Sequence, residues 1–346
     1  MRSLVNPAVD PGNVAEPSDE AARFHAALPG YRPTPVHELE ALAGELELAA
    51  VTVKDESDRL GLPAFKVLGA SWAVERALRG NPAAHTLIAA SAGNHGRAVA
   101  RVARWRGLRC RVFLPARSTE GRRRAIAGEG AAITVVDGDY EEAVAQARAA
   151  GAGAEPGCLE IADVGDSDPA RWVIDGYQTL FAEAGEQGRH DLILVPVGVG
   201  SLGAAAARFA AATARTGASA GADARVIGVE PANAACLTAA LAAGRPTRIP
   251  TPGTTMAGLD CAEVSTAAWP SLREGIHGTI TVTDEEAGGA MRELAYAGLA
   301  IGECGAAPLA ALRALAGDPE CEALRRAVGL HSSGRVLLIA TEGLTA

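Results

Sequence analysis

The chain has 346 residues, 48% of them hydrophobic, and a formal net charge of −9. That length allows one large or two ordinary domains around a substantial core, and the apolar share excludes a disordered chain. The acidic balance excludes a surface built for nucleic acid or an anionic membrane, since both need a basic face; the short cluster Arg122 to Arg124 reads as one solvated helix face.

Residues 1–30 are polar, with several Pro and Gly, and read as an irregular arm whose opening, MRSLVNPAVDPGN, has no apolar signal-peptide core. LAAVTVKDES reads as a short strand running into a loop. Strand-like and helical runs then alternate: HTLIAAS before GRAVARVARWRG, RCRVFLPA before TEGRRRAIAGEG, AITVVDG before YEEAVAQARAAG. Short apolar runs, each followed by a helix of about ten residues, are the pattern of parallel βαβ units. After the less regular GCLEIADVGDSDPARWVIDGY, strands resume at DLILVPVG, ARVIGVEP, TITVTD and RVLLIATEG. The expected fold is α/β, with two open, mostly parallel twisted sheets and flanking helices. Residues 67–157 would form a small domain, and 1–66 with 158–346 a large one, with ligand in the cleft at the strand C-termini.

No apolar run reaches the roughly 18 residues of a membrane helix. The six cysteines show no CxxC and no Cys/His metal spacing, so the expectation is a soluble cytoplasmic protein without a metal.

DLILVPVGVGSLGAAAARFAAATAR is a strand, a glycine turn and a helix, in which Gly198, Gly200 and Gly203 spell GxGxxG. Glu230, ending the next strand, stands near where a dinucleotide fold places its ribose acid, so an NAD-dependent dehydrogenase is one reading. The physics common to the readings is an anion held by backbone N–H groups and the positive end of a helix. A plain βα turn is the bland alternative. SAGNHGRAVA adds a second such turn, Ser91 to His95, suited to a carboxylate at a helix N-terminus; His95 is either a base or a histidine packed at the helix start.

Of the 32 basic residues, all but Lys54 and Lys66 are arginines. Lys66 lies in an apolar stretch, LGLPAFKVLGASWA, whose flank (Phe65, Val67, Leu68) disfavours the ammonium form by desolvation. A lysine that condenses with an aldehyde must be able to become neutral, which arginine cannot do. A snorkelling core lysine is the duller reading, and Lys54 is taken as the more ordinary of the two.

AFKVLGA, SAGNHG, GVGSLG and the terminal TEG occur in the order and rough spacing of the fold-type II pyridoxal-phosphate enzymes, which the chain resembles. The closer likeness is to the diaminopropionate ammonia-lyases. It rests on YRPTPVHEL, VKDESDRLGLPAFKVLGAS, RWVIDGYQTL, TTMAGLDCAEVSTAAW, GECGAAPL and RVLLIATEG, and runs from about Tyr31 onward.

The resemblance implies pyridoxal 5'-phosphate as cofactor, a small amino acid as substrate and a homodimer. It casts Lys66 as the Schiff-base lysine, with Phe65 beside it, and Gly198, Val199, Gly200, Ser201 and Leu202 as the phosphate loop. Asn94 would bond the pyridine 3-hydroxyl and Thr341 face the ring nitrogen; Ser91, Ala92 and Gly93 would hold the substrate carboxylate, near His95. The implied reaction is α,β-elimination of ammonia from 2,3-diaminopropionate to give pyruvate and ammonia, with an acidic group near the leaving amine.

The chain departs from that family at Ala92, where the ammonia-lyases carry an aspartate. Asp163 is the best match to the family's second acid, with Asp166 and Asp168 as competitors, and Glu303 is a further acid at the site or a loop anchor. Loss of the aspartate implies action on L-substrates only. Otherwise it implies a different β-leaving group, as in a serine/threonine dehydratase or a β-replacing enzyme. Cys236 and Cys261 match a cysteine pair of the ammonia-lyases, and neighbouring free thiols are expected in a reducing cytoplasm.

Overall fold

The computed structural model describes residues 1–91, 93–138, 140–151, 157–216 and 224–344. The chain divides into two compact units, Met1–Phe65 with Gln178–Thr345, and Lys66–Tyr177. The entry into the second unit falls one residue before the expected boundary, but the return comes at Gln178 rather than at 158. The reason is a short strand, Cys158–Glu160, that the sequence reading passed over as irregular and that pairs into the smaller sheet.

The first strands in chain order are β1 (Ser3–Val5), β2 (Val36–Glu38), β3 (Ala50–Asp55), β4 (Thr86–Ala90), β5 (Arg109–Pro115) and β6 (Ala132–Val136). The remainder are β7 (Cys158–Glu160), β8 (Leu192–Pro196), β9 (Arg225–Pro231), β10 (Gly278–Val282) and β11 (Arg335–Ala340). In the larger unit they run β1-β10-β9-β8-β11-β3-β2, parallel except for β1 and β2, which pair antiparallel at the two edges. Central strands are buried throughout, as in LILVP of β8 and GTITV of β10, because helices cover both faces of a parallel sheet. The edge strands are half-exposed and three residues long. Residues 1–30 are therefore not an irregular arm: they contain β1 and a helix, Glu20–Ala26.

The smaller unit holds a wholly parallel sheet, β6-β5-β4-β7, cored by Ile88, Phe113, Val136 and Cys158. Its helix Glu120–Ala127 carries the Arg122 to Arg124 cluster, with Arg122 and Arg124 exposed.

Lys54 has a structural place. It is fully buried on β3, donating to the Thr34 carbonyl at 2.7 Å, Glu183 at 2.8 Å and Gln187 at 2.8 Å. Arg59 joins the same buried cluster through Glu56 at 2.5 Å and Glu183 at 2.7 Å. Two cations thus balance two carboxylates, which ties the strand and its following loop to the helix carrying Glu183. Among the described residues no helix is long and apolar enough to cross a membrane, and no cluster of His, Cys, Asp or Glu has metal-binding geometry.

Candidate active site

Lys66 opens the helix Lys66–Gly80 in the smaller unit. Its Nζ lies 3.4 Å from Asp163 Oδ2 and 5.7 Å from the centroid of the Tyr177 ring. Asp163 follows β7 and is buried, and its Oδ2 is also 3.7 Å from His95 Nδ1. His95 Nε2 contacts the Ile161 carbonyl at 2.8 Å. A carbonyl only accepts, so Nε2 carries a proton and Nδ1 is the nitrogen turned toward the carboxylate. Burial alone raises the Asp163 carboxyl, but His95, Lys66 and its own backbone together hold it below its usual range, as a carboxylate.

Of the three acids considered from sequence, only Asp163 is brought to the lysine. Asp166 and Asp168 are exposed and both pair with Arg171.

Tyr177 was not singled out from the sequence, although it lies in the segment RWVIDGYQTL. The signal lies in two glycines. A Cβ on Gly69 would sit 2.6 Å from Tyr177 Cε1, and one on Gly176 would sit 2.7 Å from Gly69 Cα. The helices Lys66–Gly80 and Asp168–Gln187 therefore meet backbone to backbone just below Lys66, and the tyrosine ring is wedged there, fully buried. Burial pushes the Tyr177 phenol up to about 12, so it is neutral.

The turn before the helix Asn94–Trp105 is built as a compact cap. Gly93 takes the N-cap position, and its N–H donates to Ser91 Oγ at 3.2 Å. A Cβ on Gly96 would lie 2.5 Å from the Ser91 carbonyl, so the turn folds over the first helical turn only with glycine there. Asn94 is the first helical residue and His95 is buried behind it. Ala92 lies outside the described residues.

In the larger unit, Gly198, Val199 and Gly200 connect β8 to the helix Ser201–Thr216. Gly200 adopts φ +96°, and a Cβ there would lie 2.4 Å from Leu272 Cδ1. Ser265 N–H donates to the Val199 carbonyl at 2.7 Å, which fixes the turn from outside, while Ser201 and Leu202 are buried. The amides that open a helix have no partner within it, so this glycine turn presents N–H groups and a helix dipole to an anion.

Thr341 follows β11; its carbonyl accepts from Phe65 N–H at 3.3 Å, and its buried Oγ1 has no hydrogen-bond partner among the described residues. Phe65 is buried. Glu303 is half-buried at the first position of the helix Glu303–Gly317.

Glu230 does not serve as a ribose acid. It is fully buried and accepts from Leu237 N–H at 2.6 Å, Thr238 N–H at 2.8 Å and Thr238 Oγ1 at 2.7 Å, capping the helix Cys236–Ala243. With its carboxylate spent on a helix end, the dinucleotide reading loses its specificity residue. Cys236 and Cys261 are both free thiols against Gly198: Cys236 Sγ is 3.4 Å from its carbonyl, and a Cβ on Gly198 would lie 3.0 Å from Cys261 Sγ.

These residues fit pyridoxal phosphate. The larger unit holds a glycine turn heading a helix and a buried hydroxyl without a hydrogen-bond partner among the described residues, and the smaller unit holds a lysine beside a carboxylate, which are groups of the kinds that this cofactor requires. The chain belongs to the pyridoxal-phosphate-dependent enzyme family, whose model matches residues 27–333, and it has the family's fold type II architecture.

Within that family it is 32% identical to the diaminopropionate ammonia-lyase of Salmonella typhimurium, across 96% of this chain and 90% of the relative. Its fold matches the crystal structure of the Escherichia coli diaminopropionate ammonia-lyase in complex with an aminoacrylate–PLP azomethine reaction intermediate. That match has a TM-score of 0.86 at 28% identity and covers 99% of this chain and 94% of the other. The biosynthetic L-threonine dehydratase of Salmonella typhimurium is 29% identical, across 82% of this chain but only 53% of the relative.

Proposed function

We propose that the chain is a pyridoxal-phosphate-dependent lyase that eliminates ammonia from 2,3-diaminopropionate, giving pyruvate and ammonia. The observation that carries this reading is the buried, ionised Asp163 only 3.4 Å from Lys66 Nζ. Pyridoxal phosphate, when bound, supplies the electron sink for the negative charge left at the α-carbon. Lys66 holds the cofactor, and its amine, once released, takes the α-proton.

The carboxylate of Asp163 binds the substrate's β-ammonium. The bond from the β-carbon to nitrogen breaks with its electron pair going to nitrogen, so the protonated amine leaves as neutral ammonia. Hydrolysis of the enamine left behind yields pyruvate and the second ammonia. A hydroxyl leaving group would instead need a proton, which an ionised carboxylate does not have to give. That difference favours diaminopropionate over serine or threonine.

Around this centre, the 198–202 turn takes the cofactor phosphate, Asn94 its 3-hydroxyl and Thr341 its ring nitrogen, with Phe65 flanking Lys66. The turn at Ser91, Ala92 and Gly93 takes the substrate carboxylate, His95 steadies Asp163, and Glu303 borders the substrate. With alanine at 92, the chain acts on L-substrates. A homodimer acting in the cytoplasm belongs to the same proposal; six free thiols suit a reducing compartment. A dehydratase or β-replacing activity is the second reading, favoured by Ala92 where the ammonia-lyases have an acid.

Pyruvate and ammonia formation from L- and D-diaminopropionate, L-serine and L-threonine, measured with pyridoxal phosphate present, tests the assignment. The expected result is two ammonia per pyruvate from L-diaminopropionate, with the other three at least about a hundredfold slower in kcat/KM, the scale of a lost acid–base contribution. Faster turnover of serine or threonine would transfer the chain to the second reading. Equal turnover of both diaminopropionate isomers would end the L-only assignment.

A further inference from the structure

We infer that Tyr177 is a positioning residue for Lys66: its buried ring forms the floor on which the lysine's charged head rests, alongside Asp163. The inference rests on the proposed role of Lys66. Nζ lies 5.7 Å from the ring centroid, within the range at which a cation is drawn to an aromatic face, and 3.4 Å from the carboxylate. Ring and carboxylate come from different elements, the end of the Asp168–Gln187 helix's stretch in the smaller unit and the segment after β7. The amine thus has neighbours from two separate elements.

Two further features make the ring a fixed surface rather than a mobile neighbour. It is fully buried, so its face is desolvated, and there a cation contact is stronger than at an exposed site. The Gly69 and Gly176 contacts leave no room for it to withdraw, because any side chain at either glycine would overlap the ring or the facing backbone. The phenol is neutral, so the lysine meets a ring and a hydroxyl there and not a second anion, and Tyr177→Phe separates the two. A lysine that must let go of the cofactor and return to the same place in every cycle needs such a resting position, since its four-carbon stem is otherwise free to rotate.

The test uses three holoenzyme variants. Tyr177→Phe keeps the ring, Tyr177→Leu removes it, and pentafluorophenylalanine at 177 keeps the shape while reversing the charge distribution of the face. Each is measured for kcat, KM and the circular dichroism of the cofactor absorption band divided by its absorbance, a signal that reads how rigidly the cofactor is held. Tyr177→Phe is expected within about threefold of the parent in kcat, and the other two about tenfold lower with KM nearly unchanged, the fold-change that a desolvated ring–cation contact represents. Their normalised dichroism is expected to fall while cofactor content stays at the parent level. If Tyr177→Leu does not fold, the fluorinated variant decides alone, since it fills the same space.

Parent-like kcat and dichroism in the fluorinated variant would overturn the inference. So would a Tyr177→Phe enzyme as impaired as the others, which would move the role to the hydroxyl. Failure of the cofactor reading itself looks different, because the parent protein would then show no cofactor band.

Discussion

Asp163 and Gly200 show how much chemistry a single position carries. Asp163→Asn keeps the size of the side chain and removes its charge, so the β-ammonium of the substrate loses its counter-ion. We expect kcat/KM for L-diaminopropionate to fall by about 30- to 5,000-fold, the roughly 2–5 kcal/mol that loss of one partner of a buried charge pair costs, with far-ultraviolet dichroism unchanged. A change below threefold would remove Asp163 from the reaction. Gly200→Ala meets both a left-handed backbone, φ +96°, and Leu272 at 2.4 Å, so the turn must deform. Its expected effect is at least about tenfold weaker binding of pyridoxal phosphate by the apoprotein, from strain of about 1–2 kcal/mol. Titration of the cofactor absorption reads it directly.

Lys66 was legible at this scale because lysine is so scarce that its retention in an apolar segment needs a chemical reason. Tyr177 was not, because its importance depends on a helix crossing that only three-dimensional packing creates. The partners of Lys54 were not legible for the same reason: they come from residues 34, 183 and 187, apart from it in the chain.

At the scale of elements, the buried cluster around Glu183 is the joint between β3, the loop after it and the helix that ends the Asp168–Gln187 segment. Burial opposes ionisation of Glu183, but Arg59 and Lys54 prevail and bring its carboxyl from 4.5 down to about 2. Between those values the unfolded chain binds the proton and the native chain does not. The stabilisation is complete above the unfolded value and is lost as pH falls toward about 2, amounting to about 3 kcal/mol at neutral pH. Glu183→Gln should therefore destabilise the protein at pH 7 by about 3–5 kcal/mol, since it strands the buried Lys54 and leaves Arg59 with Glu56 alone, and flatten the loss of stability on acidification. Urea unfolding at pH 7 and at about pH 3, inside the window between the two values, measures both. An unchanged midpoint at pH 7 would show that the cluster contributes nothing net.

The long parallel strands were readable because a strand buried on both faces is a near-continuous apolar run, as β8, β9 and β11 are. The three-residue strands β1, β2 and β7 were not, since so short a run carries no periodicity and is held by its neighbours' ladders rather than by its own pattern.

For the whole molecule, the alternation of strands and helices was enough to predict two mostly parallel sheets, and two glycine turns before helices were enough to predict anion cradles. What composition and spacing left open was which anion and which chemistry. The competing dinucleotide reading turned on Glu230, whose carboxylate looks identical in sequence whether it faces a ribose or caps a neighbouring helix. Its three hydrogen bonds to residues 237 and 238 decide the matter.

Everything then depends on which amine bears the cofactor, and a chain with two lysines makes that measurement unusually clean. Borohydride reduction of the protein loaded with pyridoxal phosphate, followed by peptide mass spectrometry, is predicted to place the pyridoxyl group on Lys66 alone. The label on Lys54, or on neither lysine, would contradict the account.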